Sequence, residues 1–294
     1  MKKKKIKNFL DIEDVSLVKS QVVIIPFGFE ATTTYGQGAG LGPEAILQAS
    51  SQVELFDEDL WQETNKKVAI ATLPVKKPAK NVLLAKKQLG GEIAKILKLK
   101  KLPIALGGEH SITPFIIEAY KKSGWGEFSI LHFDAHADLR DGYLGQPYSH
   151  AAAMRRCLDF DGINLVQVGI RNISNENDEL VFWKANQARI KTFGAKDKKN
   201  WQIDEIIKSL KKDVYISFDV DAFDSSTMPS TGTPEPGGLD WFEVIEILRT
   251  VCQNKNIIGA DFVELAPIKN FLAPDFLVAK LIYKTIGYIF HPVK

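Results

Sequence analysis

Asp134, His136 and Asp138 alternate along the stretch DAHAD, and an extended backbone puts residues i, i+2 and i+4 on one face. Asp219 and Asp221 repeat the i, i+2 spacing within SFDVDAFD, and His110 belongs to the run GGEHS at 107–111. Each motif follows directly on an apolar run. Four carboxylates crowded at buried strand ends repel strongly unless they are protonated or neutralised. No lysine lies in either aspartate motif, and the nearby Arg140 can balance only one charge, so metal ions are the simplest solution. Two imidazoles and four carboxylates are too many for one tetrahedral zinc, and no thiolate is present to favour it. The mixed set, with two carboxylates free to bridge, suits a pair of ions such as Mn²⁺. Four ligand charges cancel two divalent ions, and a hydroxide generated between the ions leaves the site at about −1. That balance favours a cationic electrophile and disfavours phosphate esters. Glu264 ends an otherwise apolar strand (ADFVEL), where a carboxylate needs a cationic partner. His150, which opens a helix after a Tyr-Ser turn, reads equally as a helix-terminus residue or as a proton carrier.

The elements that must position these groups are legible as alternating short apolar runs and helical patterns. Strands are expected at 22–27, 67–74, 102–108, 128–134, 164–171, 189–194, 214–220 and 257–265, with β-branched and aromatic content that suits burial on both faces. Helices are expected at 43–50, 80–99, 112–122, 150–158, 174–187, 201–211, 240–252 and 274–290. Such repetition implies right-handed crossovers, a parallel sheet and helices on both sides, with the functional crevice beyond the strands' carboxyl ends. No repeat or linker divides the chain, so residues 1–294 read as one α/β domain, with 1–8 as a basic, solvated tail.

Composition sets the outer limits. A 294-residue chain with 45% hydrophobic and 25% charged residues is ordinary for a globular protein. Lys+Arg of 38 against Asp+Glu of 36 gives no reason to expect nucleic acid or an acidic membrane as partner. No stretch approaches a membrane span, and Cys157 and Cys252 read as buried reduced thiols, so a cytoplasmic protein is expected.

These motifs resemble those of the ureohydrolase family, the arginase and agmatinase group. GGEHS at 107–111, DAHAD at 134–138, and SFDVDAFD at 217–224 followed by TGTPEPGG at 231–238 resemble its three metal motifs in order; PFGFEATTTYGQGAGLGPEAI at 26–46 resembles its opening segment. The chain departs at Ser225, where many members carry proline, a position outside the expected ligands. The resemblance implies a three-layer α/β/α sandwich with an eight-stranded parallel sheet, and homo-oligomers, trimers or hexamers. It implies two Mn²⁺ per chain, one held by His110, Asp134, Asp138 and Asp219, the other by His136, Asp134, Asp219 and Asp221. It gives Asp138 a proton-relay role, Glu264 the pairing with a small cationic guanidino substrate, and His150 a proton-shuttling role.

The segment LRDGYLGQPYS between Asp138 and His150 lacks the Asn- and Ser-bearing pattern with which arginases hold an amino acid's α-groups, and RDGY followed by SHA resembles agmatinases. Agmatine is therefore the expected substrate, giving putrescine and urea. The alternatives are aminopropylagmatine, a guanidino acid such as 4-guanidinobutyrate if Arg140 points inward, or arginine. Pairing of Arg140 with Asp141 or a neighbour of Asp138 would make it structural. Outside catalysis, the same residues could serve a metal-loaded scaffold.

Overall fold

The computed structural model describes residues 8–291. Apart from Asn8, the expected basic tail lies outside the described residues. In chain order the strands are β1 (Val22–Phe27), β2 (Phe56–Asp57), β3 (Gln62–Glu63), β4 (Ile70–Thr72), β5 (Leu102–Gly107), β6 (Phe128–Phe133), β7 (Ile163–Ile170), β8 (Ile190–Gly194), β9 (Asp213–Asp219) and β10 (Asn256–Val263). The helices are α1 (Gly42–Ser50), α2 (Val82–Lys98), α3 (Thr113–Lys122), α4 (Ala153–Leu158), α5 (Glu179–Ala185), α6 (Ile203–Ser209), α7 (Trp241–Asn254) and α8 (Ala273–Phe290). Eight strands form one parallel sheet in the order β4-β1-β5-β10-β9-β6-β7-β8, while β2 and β3 make a separate antiparallel pair.

Period-2 alternation explains why the strands carry almost unbroken apolar runs. Val22 and Ile24 of β1 join a cluster with α1 (Ile46, Leu47), α7 (Val244, Leu248) and α8 (Val278, Ile282). Val23 and Ile25, one residue out of phase, join the opposite cluster with α2 (Leu89, Ile93), α3 (Phe115, Ile116) and α4 (Met154, Cys157). Helices therefore cover both faces, giving the expected three-layer α/β/α sandwich. Local signals set several helix starts. Asp240 and Glu243 form a capping box on α7, Asn81 accepts from the Leu84 amide at the start of α2, and α3 and α8 carry proline in their first turns.

The differences from expectation are local. The helix expected at 174–187 begins only at Glu179, because Asn177 and Asp178 adopt left-handed conformations (φ 50° and 59°) that asparagine and aspartate tolerate. The strand expected at 67–74 shrinks to three residues at the sheet edge, where Pro74 can donate no ladder bond. The β2–β3 pair, two residues a strand, is too short to leave a periodic signal. The four strands that end in the singled-out motifs, β5, β10, β9 and β6, are consecutive in the sheet. At about 4.8 Å per strand, their ends share an edge roughly 15 Å wide. Glycine is required where that edge is tightest: a Cβ on Gly108 would stand 2.0 Å from the Phe29 carbonyl oxygen. No helix among the described residues is long and apolar enough to cross a membrane.

Candidate metal centre and active site

Asp134 follows β6 directly, Asp219 closes β9, Asp221 lies in the 3₁₀ turn after it, His110 opens the turn that follows β5, and Glu264 follows β10. The structure brings all six expected ligands together in two overlapping groups. His110 Nδ1 lies 3.1 Å from Asp134 Oδ2, 3.2 Å from Asp138 Oδ2 and 3.2 Å from Asp219 Oδ2. His136 Nδ1 lies 2.9 Å from Asp221 Oδ2 and 3.4 Å from Asp134 Oδ1. The two oxygens of Asp134 thus face different groups.

Three carboxylate oxygens surround the buried His110 Nδ1, yet it makes no hydrogen bond. Converging lone pairs of this kind fit divalent cations, and no sulfur donor competes for them. The electrostatics agree. Burial and the charges of Asp221 and Asp134 push Asp219 well above the usual carboxylate range, and burial with Asp134 raises Asp221. Burial would also raise Asp134, but His132, His110 and His136 outweigh it and hold that carboxyl well below the usual range. Burial disfavours a charged His136, yet Asp221 and Asp134 drive its pKa up to about 12. The cluster calls for positive charge at its centre.

The surroundings hold each ligand in one orientation, the outer-shell arrangement that metal sites require. His110 Nε2 contacts Ser217 Oγ at 3.0 Å, and Ser217 donates to Asp261 at 2.8 Å. His132 Nε2 lies 2.8 Å from Asp134 Oδ2, and Gln167 Nε2 lies 3.1 Å from His132 Nδ1. Since the amide nitrogen can only donate, the proton of neutral His132 sits on Nε2 and is given to Asp134. Arg171 donates to the carbonyls of Gly169, Asp221, Phe223, Glu235 and Pro236, which binds the loop beyond β9 to the end of β7.

His132 was missed in the sequence because it lies inside an apolar run. The same alternation that found the aspartates extends back to it: residues 132, 134, 136 and 138 share one parity. Asp261, a carboxylate in the same apolar strand as Glu264, was legible as a candidate, while Glu109, Gln167 and Arg171 left no such signal.

A cavity of about 250 Å³ opens onto the cluster, lined among others by Asp138, His150, Glu179, Glu235 and Glu264. Glu264, in a left-handed conformation (φ 66°), accepts the His110 amide at 2.6 Å. Burial first, then the charge of Glu109, lifts its pKa well above the usual range. Arg140 lines the cavity but does not pair with Asp141, which is held by Arg156 at 2.5 Å and Arg155 at 3.8 Å. Its guanidinium stacks over the Tyr143 ring, 4.5 Å from the centroid, with Glu176 4.0 Å away.

Residues 20–287 match the model of the arginase family. The chain belongs to this family. It is therefore a ureohydrolase, a hydrolase acting on guanidino groups. It is 36% identical over 295 residues to the N(1)-aminopropylagmatine ureohydrolase of Synechocystis sp., covering 96% of this chain and 94% of that protein. It is 32% identical to the agmatinase of Pyrococcus horikoshii, covering 95% of each. The crystal structure of agmatine ureohydrolase of Thermoplasma volcanium superposes with a TM-score of 0.84 at 26% identity, covering 97% of this chain and 94% of that one.

Proposed function

We propose that this ureohydrolase cleaves the guanidinium group of a guanidino-polyamine, N1-aminopropylagmatine, releasing spermidine and urea. The observation that carries this reading is the charge of the cavity beyond the expected metal ligands: Glu179, Glu235 and Glu264 line it, against Arg140 as the one lysine or arginine among the described lining residues. Such a lining suits a substrate with a cationic tail, and Arg140 is already engaged by Tyr143 and Glu176 rather than free for a substrate carboxylate. The name of the Synechocystis relative favours the aminopropyl tail over the agmatine expected from sequence. Agmatine stands as the second reading, supported by the Pyrococcus relative.

In this reading His110, Asp134, Asp138 and Asp219 hold one Mn²⁺, and His136, Asp134, Asp219 and Asp221 the other. When bound, the ions supply Lewis-acid activation of the water that attacks the guanidinium carbon. Glu264 keeps one oxygen on the His110 amide and turns the other to the planar guanidinium. Asp138 carries the attacking water's proton to the leaving amine nitrogen, and His150 moves a proton between cavity and solvent. The reading includes residues 1–294 as one domain, a trimer or hexamer, and a cytoplasmic location. Urea release from N1-aminopropylagmatine, agmatine, arginine and 4-guanidinobutyrate by the Mn²⁺-loaded protein tests it. The highest kcat/KM is expected for aminopropylagmatine, then agmatine; a preference for either amino or guanidino acid overturns the assignment.

A further inference from the structure

Glu109 is completely buried beside His110, and four donors converge on it. The amides of Ala31 and Thr32 donate to Oε2 at 2.8 and 2.7 Å, and the hydroxyls of Thr32 and Ser111 donate to Oε1 at 2.9 and 2.5 Å. A carboxylate accepts only, so the single hydroxyl proton of Thr32 is committed to it. The Thr32 oxygen is then left as an acceptor. It takes the His150 amide at 3.1 Å and lies 3.3 Å from His150 Nδ1. Ser149 Oγ is also 3.3 Å from that nitrogen.

From this chain of donors we infer that Glu109, acting through Thr32, sets the tautomer of His150: Nδ1 carries the proton and Nε2 presents a lone pair. The opposite tautomer needs Ser149 to donate to Nδ1 and sets that nitrogen's lone pair against a Thr32 oxygen with no proton left to give. His150 lines the cavity, and its Nε2 makes no hydrogen bond to the described residues. A proton arriving from the cavity is therefore taken on Nε2, giving an imidazolium that returns it from the same atom. Glu109 touches no substrate in this scheme; it is a positioning residue. The inference rests on the proton-carrying role proposed for His150.

Glu109→Gln keeps the shape but turns an amide nitrogen toward Thr32 and Ser111, which frees the Thr32 proton for His150 Nδ1. Thr32→Val removes the hydroxyl and leaves the backbone amides of 31 and 32 on Glu109, so it carries the test if the buried glutamine variant does not fold. Thr32→Ser keeps the hydroxyl. The experiment is ¹⁵N NMR of the five histidines in the Mg²⁺-loaded, ¹⁵N-histidine-labelled protein, with His150 identified by its loss in His150→Asn. The wild type and Thr32→Ser are expected to show His150 protonated on Nδ1, and Glu109→Gln to show it protonated on Nε2. Activity is expected to follow: Thr32→Val lowers kcat about 10-fold or more with KM within about 2-fold, as for a misplaced acid–base group, and Thr32→Ser restores it. A wild-type His150 protonated on Nε2, or a tautomer that none of the variants changes, overturns the inference. The spectra need no substrate, so a protein inactive on both polyamines refutes the proposed reaction while the tautomer is still read.

Discussion

Replacing Asp261 with asparagine tests how far the metal centre depends on residues that touch no ligand position. Asp261 is fully buried in β10 and accepts from Ser217 (2.8 Å), Tyr215 (2.8 Å) and Thr113 (3.0 Å). Because Ser217 gives its proton to Asp261, its oxygen must accept from His110 Nε2, which leaves Nδ1 with a lone pair toward the three carboxylates. Asparagine supplies one accepting oxygen where there were two. With that oxygen serving Tyr215 and Thr113, its amide nitrogen faces Ser217 and turns the hydroxyl round onto His110 Nε2. The imidazole proton then moves to Nδ1, into the centre of the cluster. The other placement leaves the buried Tyr215 hydroxyl without an acceptor, at about 1–3 kcal/mol, and Thr113 with only Ser217 Oγ at 3.3 Å, so the first placement wins. Loss of an outer-shell partner of this kind costs about 10–100-fold in metal affinity, or roughly 1.4–2.7 kcal/mol. Stability of the metal-free protein should change by under about 2 kcal/mol. Two hydrogen bonds lose their charge, while a carboxyl that burial already pushes above its usual range is removed. Mn²⁺ titration of the metal-free variant by calorimetry, beside denaturant unfolding, separates the two quantities. A folded Asp261→Asn protein that binds Mn²⁺ within 2-fold of the wild type refutes the reasoning.

Three further perturbations probe other parts of the molecule. Lys284 on α8 is buried against Asp57 (3.2 Å) and Asp59 (2.8 Å), so Lys284→Met strands the buried Asp57 and should cost about 3 kcal/mol in denaturant unfolding, with kcat little changed. Arg171→Lys exchanges a fork that reaches five carbonyls for one ammonium; a loss of about 2–4 kcal/mol in stability is expected, with weaker Mn²⁺ binding in calorimetry because Asp221 is anchored there. Asp275 is buried with one oxygen unpartnered, and burial lifts its pKa from 3.8 to about 6. The folded state binds this proton more tightly than the unfolded state, so its contribution is complete below about pH 4 and is lost as pH rises through about 6. Asp275→Asn should match the wild type at pH 3.5 and exceed it by about 2–3 kcal/mol at pH 7, read from denaturant midpoints; equal stability at both pH values would contradict the burial argument.

The sequence by itself marked the eight strands of the sheet, the eight helices and six candidate ligands that the structure brings together, because each rests on a local rule. Apolar runs mark strands buried on both faces. The extended chain expected through Asp138 stops with β6 at Phe133, and a bend at Ala135 and a left-handed Asp138 (φ 54°) bring Asp134, His136 and Asp138 to the cluster instead. The sequence also determined that the charges must gather at strand ends, since the motifs follow the runs without a gap. The tertiary structure decided what spacing within one strand cannot carry. Only the order β5-β10-β9-β6 makes four distant motifs neighbours, by pairing residues as far apart as Ile104 and Ala260. The same long-range packing turned His132 and Gln167 onto Asp134, gave Asp261 to Ser217 and Glu109 to Thr32, and drew Asp141 to Arg156, leaving Arg140 over Tyr143. Hydrogen-bond partners of this kind are chosen by which elements lie side by side, and a hydroxyl, an amide or a buried carboxylate has no periodicity that announces its partner in advance.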